Sequence, residues 1–168
     1  MSQVLFKGMP IKIAGDLPKV GQTVNNFALT DNNLQEISLN DFKEPILILN
    51  IFPSIDTPVC SQSVKKFNTT ASNLENTKVL CISKDLPFAQ ARFCGTENIK
   101  NAQTLSAFRH AEFAPQFGVD IAEGLLKGLL ARAIIVLDAT RKVQYIELVS
   151  EITNEPDYDK CLSAVHTL

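Results

Sequence analysis

Residues 46–51, Ile-Leu-Ile-Leu-Asn-Ile, constrain this 168-residue chain more than any other segment. They lie between Pro45 and Pro53, and all but Asn50 are branched aliphatics. A run so short and so apolar suits a strand buried on both faces better than a helix, which needs about ten residues or more. Burying both faces of a strand requires layers on either side of its sheet, and helices alternating with strands supply them.

The flanking sequence offers such elements. Residues 58 to about 74 carry Val59, Val64 and Phe67 among their apolar positions and read as a helix. Pro58 suits its first turn, where a missing N–H costs nothing. Residues 79–83 predict a second buried strand, 87–93 a second helix ended at Gly95, and 103–105 a short strand. Residues 133–137 and 142–148 predict a hairpin, and 156–166 a final helix. Near the N-terminus, 3–7 and 11–14 read as a hairpin turning at Gly8-Met9-Pro10, and 27–30 as a short strand before Asp31-Asn32-Asn33. The order β-α-β-α-β, then β-β-α, predicts an α/β fold: a thioredoxin-like mixed sheet flanked by helices, with an N-terminal β-hairpin. No repeat or linker interrupts it, so a single domain is expected over residues 1–168.

The formal charge of −2 gives no reason to expect nucleic acid or an acidic membrane as a partner. No stretch reaches the roughly 18 consecutive apolar residues of a membrane helix, and residues 1–8 show no charged-then-apolar leader. The expected location is the cytoplasm, where thiols stay reduced. Against that background four cysteines stand out: Cys60, Cys81, Cys94 and Cys161. None forms a C-x-x-C pair and the two histidines lack ligand spacing, so neither a metal nor a cofactor is expected.

Cys60 holds the most reactive position. The segment Phe52-Pro53-Ser54-Ile55-Asp56-Thr57-Pro58-Val59-Cys60 leaves the carboxyl end of the central strand, where open α/β sheets collect ligands. Cys60 then falls in the first turn of the helix, where free N–H groups and the helix dipole favour a thiolate. Thr57, near the N-cap, can share a pocket with it, and Pro53 can bend the chain to shield the sulfur. Cys81, inside Val79-Leu80-Cys81-Ile82, reads as buried, Cys161 as packing, and His110 as solvated or locally paired.

These residues resemble the Pro-x-x-x-Thr-x-x-Cys signature of the peroxiredoxins, here Pro53, Thr57 and Cys60. Lys84-Asp85-Leu86-Pro87-Phe88-Ala89-Gln90, Arg92-Phe93-Cys94-Gly95 and Glu155-Pro156-Asp157-Tyr158 extend the likeness to the bacterial thiol peroxidase subfamily, an atypical two-cysteine type. The resemblance implies that Cys60 is the peroxidatic cysteine and Cys94 the resolving one. It also implies that Thr57 hydrogen-bonds the thiolate and peroxide, and that Arg132 is the active-site arginine. Substrates would be hydrogen peroxide and organic hydroperoxides, the reductant thioredoxin, and the assembly a homodimer. Pro58 stands where relatives often have Gly, and Leu125 where Pro is common. A redox sensor with little turnover is the alternative from another class, and a binding module without redox chemistry a third.

An ionised sulfur alone would not make a peroxidase. Lowering a thiol pKa from about 8.5 to about 6 raises its thiolate fraction at pH 7 roughly thirtyfold, while intrinsic nucleophilicity falls roughly thirteenfold. The remaining acceleration must come from donors that orient the peroxide and stabilise the leaving oxygen. A disulfide further requires Cα atoms about 4.4–6.8 Å apart, so two cysteines on separate helices meet only if the chain around them unwinds.

Overall fold

The computed structural model describes residues 1–168. It opens with the hairpin of β1 (Ser2–Phe6) and β2 (Met9–Ala14), continues through β3 (Ala28–Thr30) and β4 (Glu36–Ser38), and reaches the central strand β5 (Ile46–Ile51). Then follow α1 (Pro58–Ala71), β6 (Thr77–Ser83), α2 (Pro87–Thr96) and β7 (Ala102–Ser106). The short α3 (Phe113–Phe117) and β8 (Asp120–Ile121) precede the hairpin of β9 (Ala133–Leu137) and β10 (Val143–Leu148), and α4 (Tyr158–His166) ends the chain. No helix is long and apolar enough to cross a membrane.

The main sheet has the order β10-β9-β5-β6-β7-β3-β4, with β5, β6 and β7 parallel and the other pairings antiparallel. β5 lies inside it, paired through its whole length on both sides, as its apolar run predicts. Its alternate residues feed two cores. Leu47, Leu49 and Ile51 pack with Ile11 and Ile13 of the N-terminal hairpin and with Phe27, Phe113 and Phe117. Those three rings meet at centroid distances of 4.7–5.4 Å. Ile48, and Phe52 just past the strand, lie in the other core, with Val64 and Phe67 of α1 and Cys161 and Val165 of α4. Cys81 and Cys161 are both fully buried there, as read from their apolar settings.

The expected mixed sheet with flanking helices and an N-terminal hairpin is therefore present, and the departures are local. The first hairpin turns at Lys7-Gly8, not Gly8-Met9-Pro10. Both residues have positive φ, as a two-residue turn matching the strand twist requires, so Met9 and Pro10 join β2. Gly95 does not end α2: the helix continues to Thr96, and the Glu97 N–H caps it on the Phe93 carbonyl. β4, α3 and β8 are elements beyond those read from the sequence. His110 is buried and not solvated, with Nε2 2.9 Å from Thr30 Oγ1, but the local pairing is present, its Nδ1 lying 3.7 Å from Glu112 Oε1.

Candidate active site

The chain leaves β5 at Phe52 and enters α1 at Pro58, and the five residues between form a tethered loop. Asp85, in the connection from β6 to α2, holds it. Its Oδ1 accepts from Ser54 Oγ (2.8 Å), and its Oδ2 accepts from the Ile55 N–H (2.7 Å) and from Ser83 Oγ (2.6 Å). An exposed Arg92–Asp56 pair at 3.3 Å adds a second link from α2 to the loop. Pro53 is buried at the start of the loop.

Cys60 is the third residue of α1 and has no solvent exposure. Arg132 reaches it from the residue preceding β9. Arg132 is 2% exposed, its Nε donates to the Ile152 carbonyl at 3.0 Å, and its Nη2 donates to Cys60 Sγ at 3.3 Å. Its Nη1 has no protein acceptor. Thr57 is the N-cap residue, yet its hydroxyl neither caps the helix nor hydrogen-bonds the sulfur. It donates to the Ser54 carbonyl at 3.0 Å, which tightens the loop.

Over this group opens a cleft of about 300 Å³. Pro53, Thr57, Pro58, Val59 and Arg132 line its floor side, and Phe6, Lys7, Leu126, Leu129, Ile152 and Thr153 complete it. Of the two leucine pairs near residue 127, Leu126 and Leu129 thus face the cleft, Leu130 joins the core and Leu125 is 86% exposed. The contribution of the N-terminal hairpin and of Ile152 had no local signal in the sequence.

Cys94 lies in the last turn of α2, half-buried, with its sulfur 3.4 Å from Thr104 Oγ1. It lines a separate depression with Asn32, Lys100 and Thr104. All four cysteines are free thiols. Arg132, Thr57 and Pro53 line one cleft, with Cys60 buried behind Arg132 and hydrogen-bonded to it, while Cys94 stands apart. Burial pushes the Cys81 thiol up to about 12, against a smaller opposing effect of its hydrogen bond from Asn50. Burial, with the Glu147 carboxylate as a lesser cause, pushes Cys161 up to about 12 as well. Neither supplies a thiolate near neutral pH.

The chain and its fold have close counterparts. A thiol peroxidase of Corynebacterium glutamicum is 50% identical over 166 residues, covering 99% of this chain and all of the relative. The crystal structure of a peroxiredoxin-like protein from Aquifex aeolicus superposes with a TM-score of 0.94 at 40% identity, over 99% of this chain and 97% of that one. A thiol peroxidase from Chromobacterium violaceum shares the fold at a TM-score of 0.91 and 23% identity, over 98% and 95% of the two chains. The family model described as Redoxin matches residues 19–162, a span that holds the central strand, the tethered loop, Cys60, Cys94 and Arg132. With that span matched and half the residues shared with a full-length relative, the chain belongs to the redoxin family.

Proposed function

We propose that the protein is a thiol peroxidase that reduces hydrogen peroxide and organic hydroperoxides through Cys60. The observation that carries this reading is the Arg132 guanidinium: one terminal nitrogen sits on the Cys60 sulfur, and the other has no protein acceptor, at a cleft a small peroxide can enter. The Cys60 thiolate attacks the nearer peroxide oxygen, the O–O bond breaks, and the distal oxygen leaves as alkoxide or hydroxide and takes up a proton. Cys60 is left as a sulfenic acid. Arg132 supplies positive charge and N–H donors where the leaving oxygen becomes anionic, the kind of stabilisation that dominates such steps. Thr57 and the first-turn N–H groups of α1 complete the donor set, which requires the Thr57 hydroxyl to turn from the Ser54 carbonyl. Pro53 shields the sulfur from bulk water.

Cys94 then condenses with the sulfenic acid, forming the Cys60–Cys94 disulfide and releasing water. Their places on two helices support local unwinding at this step, and the elevated pKa values of Cys81 and Cys161 favour Cys94 as the partner. A thioredoxin-type dithiol takes up the disulfide and restores both thiols. This cycle needs a reducing compartment, which supports the cytoplasm. A homodimer is supported by exposed Leu86, Phe108 and Leu125 on loops and by exposed Phe88 in the first turn of α2. Those loops are tied together, since Lys84 Nζ donates to the Gly128 carbonyl at 2.6 Å and Ser106 Oγ donates to the Asp85 carbonyl.

Steady-state peroxide consumption with a thioredoxin system tests the reading. Many turnovers per protein are expected with the dithiol present and a single one without it. One turnover in both cases would mark a sensor instead of an enzyme.

A further inference from the structure

Beneath the first turn of α1 lies a buried polar cluster that the peroxide chemistry leaves unused. Asn50 of β5 is fully buried in the core under α1. Its Nδ2 donates to Ser63 Oγ at 3.3 Å and points to Cys81 Sγ at 3.6 Å, on the paired position of β6. Ser63, also fully buried, donates its hydroxyl to the backbone carbonyl of Cys60 at 2.8 Å. The Oδ1 of Asn50 has no partner at all. An amide with an orphaned oxygen is a costly occupant of a central strand, where an aliphatic residue would satisfy every contact.

The Cys60 carbonyl is the acceptor that must be released when the first turn unwinds. We propose that Ser63 and Asn50 are positioning residues that form a latch on that turn and set how fast oxidised Cys60 leaves for Cys94. This rests on the reading of Cys60 as the attacking thiol and Cys94 as the resolving one.

The latch has two arrangements. In the wound turn the Ser63 hydroxyl is held by the Cys60 carbonyl, and Asn50 offers only its N–H groups. When the carbonyl leaves, the Ser63 hydroxyl loses its acceptor. A half-rotation of the Asn50 amide then presents Oδ1 to that hydroxyl and to the Cys81 thiol, so the oxygen orphaned in the wound state gains donors. Burial keeps Cys81 protonated and therefore able to donate. Each arrangement leaves part of the amide unsatisfied, which keeps the two close in free energy, as a step repeated every cycle requires. The alternative fate of a sulfenic acid held in the wound turn is a second peroxide, which transfers an oxygen to give the sulfinic acid and leaves as water or alcohol. The latch thus divides oxidised Cys60 between disulfide and overoxidation.

Rapid mixing of the reduced protein with peroxide, quenching with a thiol-alkylating reagent and weighing the products tests this directly. It resolves peroxide attack, closure of the Cys60–Cys94 disulfide and the sulfinic fraction. In Ser63→Ala, attack is expected within twofold of the parent and closure about fivefold faster, the effect of one net hydrogen bond, with less sulfinic acid at high peroxide. In Asn50→Leu the Ser63 hydroxyl has no second acceptor, and closure is expected to slow severalfold with more sulfinic acid. Opposite signs from two touching residues are not what a general loosening of the core produces. Closure unchanged in Ser63→Ala, or both variants shifting it in the same direction, would overturn the latch. Should Asn50→Leu fail to fold, Ser63→Ala alone decides. Absence of a Cys60–Cys94 disulfide in the unsubstituted protein would instead overturn the resolving role of Cys94, and the latch with it.

Discussion

Arg132 donates one hydrogen bond to the Cys60 sulfur at 3.3 Å, and the two residues are brought together from positions 72 apart in the chain. The guanidinium is fixed from behind by the Ile152 carbonyl at 3.0 Å, so its direction does not depend on substrate. Such a preset charge acts most strongly on a transition state in which negative charge moves from sulfur to the leaving oxygen.

Replacing Arg132 should therefore cost reactivity more than ionisation. For Arg132→Lys, which keeps the charge but loses the planar fork, peroxide attack is expected to slow about 100-fold, as for loss of one preorganised donor. The rate of iodoacetamide alkylation of Cys60, which follows its thiolate, should fall far less. Stopped-flow peroxide kinetics and alkylation on the same preparation compare the two. Equal fractional losses would refute this division of labour.

Asp85 restrains the loop through three hydrogen bonds to its carboxylate, from Ser54, Ser83 and the Ile55 N–H. In Asp85→Asn one oxygen becomes an NH2 group that cannot accept from either partner of Oδ2 in its place. A loss of about 1–3 kcal/mol in urea unfolding is expected, with slower peroxide attack. Unchanged stability would mean that the loop holds its shape without this carboxylate.

The cleft wall formed by Leu126 and Leu129 should select among peroxides by size and polarity. Truncation in Leu126→Ala removes contacts available to an alkyl chain but not to hydrogen peroxide. About a tenfold fall in kcat/KM for a bulky alkyl hydroperoxide is expected, with that for hydrogen peroxide nearly unchanged. A parallel fall for both would place the alkyl group outside this cleft.

The buried thiols predict a sensitivity to alkali. Burial raises Cys81 and Cys161 from an ordinary value of 9.0 to about 12. Their contribution to stability is intact below about pH 9, because both states are then protonated. Between about 9 and 12 the unfolded chain loses those protons first, so stability falls as pH rises, by up to about 1.4 kcal/mol per pH unit for each thiol. Thermal unfolding between pH 8 and 10.5 should show this decline, and Cys161→Ala should make it shallower even where it lowers the Tm overall. An unaltered slope would show that other groups set the alkaline limit.

Much of this fold is legible in local patterns. The apolar run 46–51 between prolines marks the central strand, and Pro58 marks the first residue of α1. β4 escapes such reading because its three residues, Glu36-Ile37-Ser38, are a partly exposed edge with too little length to show a period. α3 is hidden likewise: five residues carry no helical periodicity, and its end at Gly118 is set by close approach. A Cβ there would fall 2.3 Å from the Asp16 carbonyl carbon. At the site, Cys60 is legible from its place at a helix start, but the burial of Arg132 is not, since it follows from how β9 and the Ile152 segment close over α1. The resemblance implies a Thr57 hydroxyl hydrogen-bonded to the sulfur; the tight turn over Ser54 instead gives it the Ser54 carbonyl as acceptor. His110 is buried through Thr30, 80 residues away, a pairing no window of sequence contains.

The central claim is that peroxide is reduced at Cys60, and Cys60→Ser tests it most directly. The serine preserves the shape of the buried position in α1 but offers no thiolate. With a thioredoxin system and either hydrogen peroxide or an alkyl hydroperoxide, consumption is expected to fall to the rate measured without protein. Retention of full turnover by Cys60→Ser would contradict the assignment of the chemistry to this residue and its cleft.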